Sequence, residues 1–119
     1  MVDESTSRIY AGGSEEFGYY HNDPDRGCFV YKSLMPTLPK RDHHFTEVWN
    51  IHKSGKYIWF QSDFNLLRFD GSKSISIPYK YKITTSALIR GRLYIASKEG
   101  GIGQLNGKTF TSVPGGEPN

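Results

Sequence analysis

Three observations predict an all-β fold of short antiparallel strands. The chain carries an internal repeat, its segments are rich in β-branched and aromatic residues, and no capped stretch shows helical periodicity. Residues 55–78 lie on residues 91–114 without a gap, a period of 91 − 55 = 36. Under that shift Gly55 meets Gly91, Lys56 meets Arg92, Ile77 meets Val113 and Pro78 meets Pro114. Asp70-Gly71 falls on Asn106-Gly107. Both dipeptides suit the positive φ angles of a two-residue type I′ hairpin, so each is expected to join two strands.

Around these turns one repeat reads as strands at residues 57–61, 66–69 and 74–77, and the next at 93–96, 102–105 and 110–113. A further strand is expected ahead of each, at 47–51 and 83–89. Four short strands in 36 residues is the spacing of a β-propeller blade, slightly tighter than the roughly 40–45 of WD-type blades. A partial copy precedes them, with strands at 8–11, 17–20 and 28–31 and no evident first strand. From Ser7, taken as the equivalent of Gly55, to Gly27 is 20 positions, against 71 − 55 = 16 in the second copy. The four extra residues are expected in a longer loop over 21–25. The whole chain, 1–119, then reads as one incomplete propeller domain: a blade remnant over 7–34, a connection over 35–45 holding Pro36 and Pro39, and blades over 46–78 and 79–114.

Composition narrows the function classes. At 119 residues and 13.5 kDa the chain holds one small domain, which excludes a multidomain enzyme. No apolar run approaches the roughly 18 residues of a membrane span, and residues 2–7 (Val-Asp-Glu-Ser-Thr-Ser) do not form a signal core. Cys28 is the one cysteine, so neither an internal disulfide nor a Cys-x-x-Cys site is possible. A formal charge of +3, without a long basic run, does not call for nucleic acid.

Phe17-Gly-Tyr-Tyr20, Tyr31-Lys-Ser-Leu34 with Leu38-Pro39, Phe45-Thr-Glu-Val-Trp-Asn-Ile51, and Tyr57-Ile-Trp-Phe-Gln-Ser62 with Leu67-Arg-Phe69 together resemble the two-component regulator propeller family. The resemblance covers about residues 8–114. It implies a sensor region built of tandem blades that senses a carbohydrate breakdown product or other nutrient signal through loops at one face. A complete propeller needs about four to eight blades, and this chain supplies two and most of a third. Open edge strands therefore invite self-association or packing against neighbouring blades. As part of a longer sensor the segment is expected in a periplasmic or extracytoplasmic place; expressed as written, it is expected in the cytoplasm.

Other motifs have plainer readings. Asp42, His43, His44 and His52 form the nearest approach to a metal cluster, but adjacent strand residues face opposite ways, so a solvated loop and no metal site is expected. Asp23, Asp25, Glu47, Asp63 and Asp70 read mostly as turn residues rather than as a catalytic acid and base. Gly100-Gly101-Ile-Gly103 reads as a strand connection with close backbone packing. Tyr79-Lys-Tyr-Lys82 has the alternation of a single-strand nucleic-acid binder, but an edge or connecting strand is favoured. Tyr57, Trp49, Trp59 and Phe60 are core candidates. Tyr19, Tyr20 and His21, beside the expected long loop, are the candidate ligand-binding residues, as an aromatic platform for a sugar ring or a partner. The function expected is non-enzymatic, with no cofactor: a sensor-type propeller segment binding a ligand or partner in signal transduction. The alternative is a stand-alone module that self-assembles into a ring or binds a protein through its open edges.

Overall fold

The computed structural model describes residues 1–115. Its strands are β1 (Val2–Asp3), β2 (Arg8–Gly13), β3 (Glu16–Asp23), β4 (Cys28–Ser33), β5 (Asn50–Ser54), β6 (Tyr57–Gln61), β7 (Asn65–Phe69), β8 (Ser74–Pro78), β9 (Thr85–Ile89), β10 (Arg92–Ser97), β11 (Gly101–Asn106) and β12 (Thr109–Ser112). They form three four-stranded antiparallel meanders in chain order, β1–β4, β5–β8 and β9–β12, hereafter the first, second and third sheets. Among the described residues no sheet is closed, and the stack is elongated, 55 × 31 × 20 Å.

Alternation along the strands of the second sheet accounts for the stacking. Ile58, Phe60, Leu67 and Phe69 point to the first sheet and meet Tyr10, Phe17 and Tyr19. Trp59, Leu66 and Ile77 point to the third and meet Ile83, Leu93 and Ile95. Phe17 packs edge-on against Phe60 with centroids 4.9 Å apart. Each fully buried Phe, Leu or Ile here contributes roughly 2 kcal/mol, so the two interfaces between sheets, rather than any sheet alone, hold the fold together.

The first strands of successive sheets are tied to one another. Lys53 Nζ of β5 donates to Asp3 Oδ1 of β1 at 2.8 Å. His52 Nε2 of β5 lies 2.9 Å from Ser86 Oγ of β9. Ser86 in turn donates to Oε1 of the fully buried Gln61, which also accepts from Asn50 Nδ2, both at 2.8 Å. Because the one Ser86 proton goes to Gln61, the His52–Ser86 bond must be donated by His52 Nε2–H.

Several expectations are corrected. The first sheet is complete: β1 supplies its missing strand, too short for any periodic signal and held because Tyr10 N–H donates to Met1 O at 2.8 Å. Of the expected loop over 21–25, residues 21–23 are strand instead, with His21, Asn22 and Asp23 paired to Val30, Phe29 and Cys28, so the extra residues lengthen a hairpin closed by residues 24–27. The connection over 35–45 includes 3₁₀ turns at Met35–Thr37 and Lys40–Asp42. The strand expected at 47–51 begins at Asn50, since Val48 fills the space beside Gly12, where even a Cβ would lie 2.7 Å from it. Trp49 is therefore outside the core, 59% exposed, with its indole N–H donating to Asp63 Oδ1 at 2.9 Å. Residues 79–82 are a bent connection, not a strand, with Tyr79 packed on Phe110 at 4.9 Å.

Register also corrects the repeat. Ser54 pairs with Tyr57 and Ile89 with Arg92, so Tyr57 corresponds to Arg92, a shift of 92 − 57 = 35. Asn65 opens β7 and Gly101 opens β11, a shift of 101 − 65 = 36. The textual match without a gap thus hides one more residue in the turn over 98–100, while the first hairpin of each of these two sheets keeps a two-residue turn. Asp3 pairs with Arg8, so Arg8 corresponds to Tyr57 at a shift of 49, which also carries Glu16 to Asn65 and Tyr19 to Arg68. Positive φ at both central residues, the requirement of a type I′ turn, occurs at Arg90 (51°) and Gly91 (77°). At Asp70-Gly71 and Asn106-Gly107 only the glycine has positive φ.

Candidate functional site

Tyr19, Tyr20 and His21 are consecutive on β3, and strand alternation divides them. Tyr19 and His21 turn toward the second sheet, with ring centroids 6.0 Å apart. Tyr19 is almost wholly buried, and the Arg8 guanidinium lies 4.1 Å from its ring centre. Tyr20 is on the opposite face, 41% exposed and packed at 5.0 Å on Tyr31. The three do not make one aromatic platform. Burial, and then its hydrogen bond to Glu16, push the Tyr31 phenol well above the ordinary tyrosine range, so it stays a donor to that carboxylate at 2.5 Å.

On the inward face, Arg8, Tyr19, His21 and Lys32 border a cleft of about 430 Å³ beside the β1–β2 turn. Its repeat mate is larger. Between the second and third sheets, beside the β9–β10 turn, a cleft of about 560 Å³ is lined by Tyr57, Trp59, Arg68, Arg92, Gln104 and neighbours. The Arg68 guanidinium sits 4.5 Å from the Tyr57 ring centre and 6.0 Å from that of Trp59. Its Nε is buried without a hydrogen-bond partner among the described residues. By the register above, Tyr57 stands where Arg8 stands and Arg68 where Tyr19 stands, so the same cation–aromatic contact is built twice with the two residues exchanged.

Of the residues singled out in the sequence, Tyr19 and His21 border one cleft, Trp59 is buried and Tyr57 is half-buried at the other; sequence reading missed Arg8 and Arg68. Arg68 did leave a signal: it is the one charged residue in Leu66-Leu67-Arg68-Phe69, a strand whose apolar residues are all buried.

The other motifs disperse. His43 Nε2 lies 2.7 Å from Leu38 O, His44 Nδ1 lies 3.5 Å from Glu15 Oε2, and His52 is in the Ser86 network. Among the described residues no three His, Cys, Asp or Glu side chains gather as metal ligands. Asp23 and Asp70 accept backbone N–H groups of their own turns, and Asp63 accepts the Trp49 indole. Gly101 has φ of 71° in the β10–β11 turn, and a Cβ on Gly100 would lie 2.5 Å from the Tyr79 hydroxyl oxygen. Among the described residues no helix is long and apolar enough to cross a membrane. What the clefts can do chemically is hold a ring against an aromatic face and an anion against a guanidinium. Comparison with protein-family models, with curated proteins and with solved structures gave no match.

Proposed function

We propose that the chain is a non-enzymatic segment of a sensor-type propeller, of the two-component regulator propeller kind, that binds a ligand or partner in signal transduction. One observation carries this reading: the stack has a direction. The face bearing Trp59 and Arg68 packs forward onto the back face of the third sheet, as the face bearing Tyr10 and Tyr19 packs onto the back of the second. The next forward face has no partner among the described residues. It is an apolar depression of about 320 Å³ lined by Ala87, Ile89, Tyr94, Ala96, Ile102 and their neighbours. At the other end, Val2, Ile9, Tyr20 and Tyr31 make one row across the back of the first sheet. A directional stack with a free face of each kind accepts further sheets of the same sort.

The unfilled ends also support the second reading, a module that closes a ring with copies of itself or holds a protein partner. Light scattering across a concentration range, together with hydrogen exchange, tests both. Head-to-tail contact gives a discrete dimer or trimer that Ile102→Glu returns to monomer. As an isolated segment, the chain stays monomeric and shows lower amide protection in β2–β3 and β10–β11 than in β6–β7. A monomer protected equally in all three sheets would overturn the propeller reading.

A further inference from the structure

We propose that the cleft between the second and third sheets binds an anion carried on a flat ring, the anion held by Arg68 and the ring lying against Tyr57 and Trp59. The proposal deepens the reading of the chain as a ligand-binding module but does not depend on how the stack is completed.

The cleft is cationic without compensation. Arg68 lines it, Lys56 Nζ stands 5.3 Å from the Tyr57 ring centre, and no carboxylate side chain is among the lining residues; Arg92 borders the cleft, but its pairing with Ile89 turns its side chain to the other face of the third sheet. Among the described residues the Arg68 guanidinium makes no ion pair and donates no hydrogen bond. The nearby carboxylate is Asp70, and it is engaged elsewhere: the backbone N–H groups of Lys73 (2.8 Å) and Ser72 (2.9 Å) hold it below the usual carboxylate range, with Lys56 and Arg68 as lesser charges.

A guanidinium stacked on a ring keeps its in-plane N–H donors free for a carboxylate or sulfate. Stacking covers its face, and the edge is what an anion needs. Tyr57 and Trp59, with centroids 5.9 Å apart, supply apolar wall beside that edge. The volume, about 560 Å³, is that of a small-molecule site. The first sheet makes the same argument independently: its cleft, bordered by Arg8, Lys32 and Tyr19, also has no carboxylate in its lining. The pairing of cation with aromatic is thus kept while the residues that supply it change places.

Benzoate is the probe, since it joins a carboxylate to a flat ring with nothing else. Benzyl alcohol keeps the ring without the charge, and acetate keeps the charge without the ring. Nitrogen–proton correlation spectra report through the two indole N–H signals, Trp59 in the cleft and Trp49 on the far surface. Benzoate should move the Trp59 signal saturably by about 20 mM and leave Trp49 still, with weaker response to either half-probe. Arg68→Gln should weaken binding about tenfold or more, Lys56→Gln, at an exposed position that cannot unfold the core, about twofold, and Arg92→Gln, whose side chain is on the other face, not at all. No saturable Trp59 shift, equal response to benzyl alcohol, unchanged affinity in Arg68→Gln or, should that variant not fold, unchanged affinity in Lys56→Gln would overturn the proposal. The mass and exchange measurements above stand apart from all of these, so failure of the cleft and failure of the propeller reading are told apart.

Discussion

The guanidinium of Arg8 lies 4.1 Å from the ring centre of Tyr19, across two neighbouring strands and facing the second sheet. One sheet later the same positions hold Tyr57 and Arg68, 4.5 Å apart in the same sense. A contact that survives exchange of its partners is a property of the positions. Arg8→Tyr or Tyr19→Arg alone should each cost about 1 kcal/mol, while the double variant with the residues exchanged should recover most of it. Urea unfolding of the four proteins measures this coupling. A double variant whose losses merely add would show that the two sheets are not interchangeable at this position.

That exchange also shows where sequence reading stops. The strand Tyr57–Gln61 was legible residue for residue, because four consecutive β-formers, Tyr57 to Phe60, between Gly55-Lys56 and Ser62-Asp63 leave no other element. Strand existence follows from such local composition, and so does the face-to-face stacking, because an apolar run with both faces buried needs a layer on each side. Register does not follow, since it depends on turn lengths that a one-residue shift conceals. The textual period put Gly55 on Gly91, whereas pairing puts Lys56 opposite Gly91 and Arg90 opposite Gly55. Only after that correction do Arg8, Tyr57 and Arg92 fall at one position. Trp49 was misplaced for a related reason: an aromatic residue one place before a strand looks the same in sequence as one inside it.

Arg90 carries a φ of 51° in a two-residue turn that asks for Asn or Gly. An L side chain in the left-handed region is strained by roughly 1 kcal/mol, and Asn tolerates it better through local hydrogen bonding. Arg90→Asn should therefore raise stability by about 0.5 kcal/mol, with no change in the strands it joins. Thermal unfolding checks the direction. A loss of stability would mean that the Arg90 side chain contributes more on the surface than its backbone costs.

His52 titrates against the interface. Burial lowers its pKa below the ordinary imidazole value, so in the window between that lowered value and about 6.5 the unfolded chain binds more protons than the folded one. Stability should fall as pH drops from 7 through that window. His52→Gln, which keeps a donor for Ser86 but no titration, should flatten this slope. Unfolding midpoints at pH 7, 6 and 5 for both proteins decide it; parallel slopes would remove His52 as the cause.

Asp3 titrates much lower. The hydrogen bond from Lys53 is the main reason its carboxyl sits well below the ordinary range, burial opposes it, and donors from Ser5 and Thr6 assist. A carboxylate depressed in the folded state adds stability that is fully present above its unfolded value, about 3.9, and is lost as pH falls through the folded one. Lys53→Met leaves this carboxylate, itself 95% buried as its 5% exposure shows, with only the two hydroxyls and one N–H. The variant should lose about 2 kcal/mol at pH 7, and the first sheet should loosen from the second because the bond joins β1 to β5. The difference between the two proteins should then shrink toward strong acid, where Asp3 is protonated in both. Midpoints at pH 7, 4 and 2 give the comparison. A gap that stays constant down to pH 2 would assign the loss to packing of the Lys53 stem across the sheets and leave the charge out of it.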